Sequence, residues 1–312
     1  MEQKLIVNAS PHVRDRASTS SIMGTVILAL MPNLVATVYL FGLRALLLTA
    51  VCVVSCVVFE YLYCILMKKE STVGDLSAVV TGLLLAFNLP STLPLWMAMV
   101  GCLAAIVVVK QLFGGIGKNF ANPAIVGRII LLVSFGTAMT TWVVPQVNGL
   151  QVDQVAGATP LAILNGGEGE MPSLLELFLG VRGGSMGETC ALALLIGGIF
   201  LIARRVITPT IPLAFLGTMV IMSWITGQDP LIHLLSGGAI LGAFFMATDY
   251  VTSPMTETGK LIFGIGCGLI TMMIRVYGSY PEGVSFAILL MNIVTPHINN
   301  LTRHKVFGGV KG

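Results

Sequence analysis

Apolar residues run in long blocks along this chain, and the joints between blocks are short everywhere but one. A helix needs about 20 apolar residues to cross a bilayer, with a range of about 17 to 25. Ten segments reach or approach that length. In the first half they are Ile22 to Phe41, Ala45 to Met67, Val73 to Leu89, Leu95 to Phe113 and Pro123 to Met139. In the second they are Met186 to Ala203, Ile211 to Thr226, Leu231 to Thr248, Leu261 to Tyr277 and Val284 to Ile298. Several begin after Pro or at a Ser, Thr or Asp cap, as helix starts should. Between the two sets lies the exception, a polar interruption from Thr140 to Gly184.

Composition agrees with this pattern. Of 312 residues, 55% are hydrophobic and only 10% charged, against about 25% charged in soluble domains. An ordinary soluble domain is excluded, and the expected class is an all-α polytopic membrane protein. A net charge of +3 gives no reason to expect a nucleic-acid partner; the bilayer is the expected environment. The first 21 residues are polar and the first apolar run is long enough to span, so no cleavable signal peptide is expected. The six cysteines, Cys52, Cys56, Cys64, Cys102, Cys190 and Cys267, sit inside apolar runs without metal-ligand spacing. They read as small buried apolar groups, and an iron–sulfur site built by this chain alone is not expected. The sequence names no metal ligands.

Charge sets the orientation. With the N-terminus in the cytoplasm and each block crossing once, only Arg44, Arg182 and Arg275 fall on or near the outer side. The remaining Lys and Arg fall on or near the inner side, which satisfies the positive-inside rule. Residues 1–21 and 299–312 are then cytoplasmic and 140–184 form an outer-face loop.

The blocks also repeat. One constant shift along the chain lays Gly101 and Cys102 on Gly266 and Cys267, and Lys110 on Arg275. Asn122-Pro123-Ala124-Ile125 falls opposite Ser285-Phe286-Ala287-Ile288. Five blocks per half is an odd number, so the halves, 22–139 and 185–298, are expected to be inverted relative to each other. That is a transporter-like arrangement, with functional sites where the copies meet.

Charges inside apolar blocks are costly and default to functional candidates. Glu188, in Gly184-Ser185-Met186-Gly187-Glu188-Thr189, either caps its helix or helps bind an anion or polar ligand there. Arg128 stands roughly 9 Å from Asn122 along its helix at 1.5 Å per residue. It either binds a phosphate or carboxylate, or pairs with a neighbouring carboxylate. Glu60, near an inner end, is expected to snorkel to the interface. Asn122-Pro123-Ala124 resembles an aquaporin motif, but the second such motif is missing and Pro in a first helical turn explains it. Asp153-Gln154-Val155-Ala156-Gly157-Ala158-Thr159-Pro160, taken by itself, reads as a turn.

Taken together, these stretches resemble a family. Ser10-Pro11-His12, Ala29-Leu30-Met31-Pro32, Asn119 to Ala124, Gly184 to Thr189 and Phe245 to Pro254 resemble the RnfD family of the Rnf electron-transport complex. More distantly they resemble NqrB of the sodium-pumping quinone reductase. The resemblance covers nearly the whole chain. It implies two inverted five-helix repeats with a urea-transporter-like fold. It also implies FMN attached by a flavin transferase, through a phosphoester, to the last Thr of an Asp-x-x-Ser/Thr-Gly-Ala-Ser/Thr motif. Here Asp153 opens the motif, Gly157 and Ala158 match, and Thr159 is the acceptor; Ala156 replaces the usual hydroxyl residue. Small neighbours on an exposed turn would let the hydroxyl reach a diphosphate inside the transferase. Glu188, Arg128 and Asn122 are further candidates for holding the cofactor.

The resemblance further implies a relay of electrons between ferredoxin and NAD, coupled to movement of sodium or protons. The implied partners are a second covalent-flavin subunit on the outer side and iron–sulfur and membrane subunits, in a prokaryotic cell membrane. It also implies a non-covalent riboflavin whose ligands the sequence does not reveal. The competing readings are a stand-alone urea-transporter-like channel or carrier, and a structural anchor for other subunits. A simple channel has no need of Asp153 and Thr159, and an anchor has no need of Glu188 and Arg128.

Overall fold

The structure is a computed structural model describing residues 18–148, 151–167, 169–278 and 282–303, with backbone only for 146–148 and 151–156. Ser10-Pro11-His12 and the basic Lys4, Arg14, Arg16, Lys305 and Lys311 lie outside the described residues. The first half holds α1 (Thr19–Phe41), α2 (Leu43–Leu66), α3 (Ser77–Phe87), α4 (Leu95–Leu103), α5 (Pro123–Ser134) and α6 (Gly136–Met139). The 140–184 region carries β1 (Val143–Asn148), β2 (Gln151–Ala156), α7 (Pro160–Leu164) and α8 (Leu174–Leu179). The second half holds α9 (Ala191–Ala203), α10 (Thr210–Ile225), α11 (Pro230–Leu235), α12 (Ala239–Leu241), α13 (Glu257–Tyr277) and α14 (Val284–Thr302).

Helices α1, α2, α13 and α14 are long and apolar enough to cross a membrane. Shorter apolar helices, α3, α4, α5, α9 and α10, occupy five more of the expected blocks. Caps set the boundaries. The Ser18 hydroxyl accepts the Ser21 N–H to start α1, and Gly42 at φ +74° turns the chain directly into α2. The hydroxyl of Thr256 starts α13 by accepting the Gly259 N–H.

Three expectations change. Leu231 to Thr248 does not form one helix: α11 stops at Leu235 and α12 restarts at Ala239, with Gly237 and Gly238 between them at positive φ. Residues 242–246 then continue as a π-helical turn, and Ala104–Gln111 do the same after α4. The loop is not all irregular either, because β1 and β2 form an antiparallel hairpin pairing Val144 with Val155. Finally, Glu60 does not snorkel. It is fully buried, and its carboxylate takes Lys110 Nζ at 2.7 Å while Thr72 also donates to it. An unpaired carboxylate at that depth is costly, and the cation fifty residues away removes the need to reach water.

Close approach in a lipid-like interior depends on small residues. Helix α13 lies against α10 through Gly264 and Gly268. A methyl on Gly264 would come within 2.7 Å of Ala214 Cβ, and one on Gly268 within 2.7 Å of the Phe215 carbonyl oxygen. Large apolar side chains such as Leu28, Val35, Leu43 and Val54 remain exposed on α1 and α2, as an outward face toward hydrocarbon requires.

Lys110 Nζ also donates to Ser77 Oγ at 2.5 Å, at the start of α3. Removing one member of a buried ion pair typically costs about 3–5 kcal/mol, whereas replacing both by apolar groups is often neutral. Lys110→Met should therefore lower the melting temperature of the detergent-solubilised protein, and the double variant Glu60→Met/Lys110→Met should recover most of that loss. A double variant no more stable than the single one would show that the pair is not the determinant.

Candidate functional site

Arg128 is built into the middle of α5. The Asn122 side chain caps that helix by accepting the N–H groups of Ala124 and Ile125, and Pro123 occupies its first position. Six residues on, the Arg128 guanidinium is buried. It donates to Ser285 Oγ at 2.7 Å and Asn88 Oδ1 at 3.3 Å and forms an ion pair with Glu282. Asn88 ends α3, and Ser285 begins α14. One guanidinium thus ties α5, α3 and α14 together, and its carboxylate partner comes from the segment leading into α14.

A cavity of about 360 Å³ opens beside this cluster. Arg128, Glu282 and Ser285 line it together with Trp142, Gly157, Ala158 and Thr159. The hairpin brings Trp142 and the Gly157-Ala158-Thr159 stretch to it. Gly157 N–H closes onto the Trp142 carbonyl at 3.2 Å, and Thr159 follows as the cap of α7. Gly183 passes so close to Ala158 that a methyl there would sit 3.0 Å from its carbonyl oxygen.

Thr159 is not on an exposed turn. It is 5% exposed, with its hydroxyl accepting the Ala162 N–H at 3.2 Å. The reason is local: Thr-Pro is a helix start, and α7 tucks Leu161 into the core. The backbone of Asp153 lies in β2, paired with Gln146; its side chain lies outside the described residues.

Glu188 does not cap a helix, since α9 begins at Ala191. Its Oε1 accepts the Ser185 N–H at 3.0 Å, closing a turn, while Oε2 is buried without a hydrogen-bond partner. Oε2 lies against Gly238, where φ is +67° and a methyl would come within 2.7 Å of it. Around this turn the chain is unwound, and neighbouring segments bond its backbone. Met186 and Gly187 N–H donate to the Leu89 and Phe87 carbonyls at 3.0 Å, and Asn33 donates to the Gly187 carbonyl. Arg182 donates to the carbonyls of Glu188 and Thr189. Arg275 donates to those of His233, Ser236 and Gly237. Arg128, Arg182 and Arg275 all lie within electrostatic reach of Glu188.

The structure therefore brings Thr159, Gly157, Ala158 and Arg128 to one cavity and sets Glu188 in an adjoining arginine cluster. It separates Asn122 from them. Asn122 lines a second cavity of about 220 Å³ with Lys110, Asn119, Thr248 and Asp249, and its Nδ2 donates to the Met246 carbonyl. Sequence reasoning missed Glu282, Ser285, Trp142 and the roles of Arg182 and Arg275. The arginines were legible as lone cations at apolar block ends; Glu282 and Ser285 carried no local signal. Among the described residues no group of three or more His, Cys, Asp or Glu is arranged to hold a metal ion.

Residues 6–308 match the model of the NQR2, RnfD, RnfE family. The chain is 52% identical over 314 residues to the D subunit of the Na(+)-translocating ferredoxin:NAD(+) oxidoreductase complex of Acetobacterium woodii, covering 99% of this chain and 97% of that protein. It is 43% identical over 320 residues to the D subunit of the proton-translocating ferredoxin:NAD(+) oxidoreductase complex of Clostridium ljungdahlii, covering 97% and 96%. It is 36% identical over 348 residues to the D subunit of an ion-translocating oxidoreductase complex of Escherichia coli, covering 98% and 99%.

Small-to-large changes in packed positions cost about 1–3 kcal/mol, and Gly238 adds a positive φ that a side chain disfavours. Gly238→Ala should reduce the monodisperse fraction in size-exclusion chromatography and lower the melting temperature. Gly217→Ala, where nothing lies within 4 Å, should change neither. Equal behaviour of the two variants would count against the tight Gly238–Glu188 contact.

Proposed function

The chain belongs to the NQR2, RnfD, RnfE family, and on that premise we propose that it is a membrane subunit of an ion-translocating ferredoxin:NAD oxidoreductase complex that carries FMN covalently on Thr159. The observation that supports the cofactor most is the meeting of Thr159 and Arg128 on one cavity. The residues present fit the group. Thr159 offers the hydroxyl for a phosphoester, Arg128 a planar cation suited to phosphate, and Trp142 an aromatic wall. The volume lies in the range of cofactor sites.

Attachment needs a flavin transferase and a flavin dinucleotide. The bond from Thr159 Oγ to phosphorus forms, the phosphoanhydride breaks, the nucleoside monophosphate leaves, and the hydroxyl proton passes to solvent. When bound, the flavin supplies the electron-carrying chemistry. The chain's own part is to hold it at high effective concentration, shield it between the hairpin and α14, and surround it with fixed charge.

The proposal includes the ten-span, inverted arrangement with 140–184 on the outer face, where a second flavoprotein subunit would exchange electrons with Thr159's flavin. Support comes from the repeat-related cations. Lys110 and Arg275 both end buried, each bound to the start or the break of a neighbouring segment in its own half. Asn119, Asn122, Thr248 and Asp249 around the second cavity offer polar groups for the non-covalent flavin. The coupled ion is sodium or a proton, and relatives of both names are similar to this chain.

Co-produced with its transferase, the wild-type chain should show the added mass of FMN and retain yellow fluorescence after denaturation. Thr159→Ser should keep both signals and Thr159→Ala should lose both. An unmodified wild-type mass would defeat the assignment. The unpartnered Glu188 Oε2 makes a further expectation. In sealed vesicles of the complete complex, Glu188→Gln should lose ion transport while retaining part of the electron transfer; unchanged transport would reduce Glu188 to a turn-closing residue.

A further inference from the structure

The Arg128–Glu282 pair is unequal. Arg128's side chain is 5% exposed and held by Asn88 and Ser285, whereas that of Glu282 is 18% exposed. Of the Glu282 oxygens, Oε2 meets Arg128 and Oε1 is buried without a hydrogen-bond partner. Glu282 precedes Gly283, which stands at φ +57°. The arginine is therefore fixed and its carboxylate is the less secured member. A buried guanidinium deprived of its anion is strongly unfavourable, so Glu282 leaves only if another anion takes its place. That anion must reach the cavity that Arg128 and Glu282 line, and Thr159 lines the same cavity.

We propose that Arg128 is the receptor for the phosphodiester carried by Thr159, and that Glu282 holds Arg128 until the modification displaces it. This rests on the reading of Thr159 as the flavin-bearing residue. A phosphodiester bears one negative charge, as the Glu282 carboxylate does, so the exchange leaves the charge of the cluster unchanged. It also presents paired oxygens that the guanidinium fork can bind together. Arg128 is then a positioning residue: it fixes the flavin's phosphate, and through it the orientation of the ring, without forming the ester itself. Glu282 is an internal substitute for the ligand, stabilising the unmodified chain during maturation.

The test compares flavin-loaded and unloaded protein, prepared in the full complex with and without the transferase. Loading is read by intact mass. Glu282→Gln should lower the melting temperature of the unloaded protein by several degrees and leave that of the loaded protein unchanged. A permanent structural pair predicts the same loss in both, and that result would overturn the proposal. In loaded protein, Arg128→Gln should keep the flavin mass but raise iodide quenching of flavin fluorescence severalfold and speed its anisotropy decay, with Arg128→Lys in between. Flavin-loaded Arg128→Gln with wild-type quenching and anisotropy would also overturn it. If Arg128→Gln does not fold, the Glu282→Gln comparison decides alone. A wild-type chain without flavin mass marks failure of the Thr159 reading itself, and is distinguished from these outcomes by mass.

Discussion

Unwound backbone inside an apolar envelope has to find hydrogen-bond partners, because hydrocarbon offers none. This constraint shapes the centre of the molecule. The chain leaves helical geometry at 182–190 and at 236–238, and each break exposes carbonyls that no helix satisfies. Arg182 and Arg275 supply the donors, two carbonyls to one and three to the other. Asn33 and Thr37 add donors from α1 to the carbonyls of Gly187 and Met186. Bringing arginines so deep introduces charge, and charge in turn requires Glu188 nearby and Glu282 against Arg128. The polar site is thus a consequence of breaking helices in a medium without water.

How much of this could be read beforehand depends on distance along the chain. Long apolar runs identify α1, α2, α13 and α14 directly, because length and composition are local. The break in 231–248 was also visible, as Ser236-Gly237-Gly238, but an apolar average across the segment conceals it. The hairpin was legible in the alternation of Val and polar residues from Val143 to Val155, yet the Gly and polar content of the region suggested only loop. Glu60 was misjudged because its partner Lys110 belongs to another helix.

The site divides in the same way. Thr159 could be singled out only through the family resemblance, because Gly157-Ala158-Thr159 by itself reads as a turn. Its burial could not, since that depends on α7 docking and on Gly183 crossing Ala158. Arg128 and Glu282 lie 154 residues apart, and no spacing rule connects them. They meet because α5 and α14 pack side by side, which is tertiary information. Asn122 shows the opposite error: six residues from Arg128 on one helix, it serves another cavity.

The arginines bound to carbonyls have a kinetic side. A guanidinium held by two or three backbone oxygens does not swing when a charge appears nearby, unlike water or a surface side chain. A group changing its charge beside Arg182 and Arg275 therefore meets a field already oriented, which is the condition for electrostatic preorganisation. The same bonds that close the gaps in the broken helices thus fix the field around Glu188 in advance.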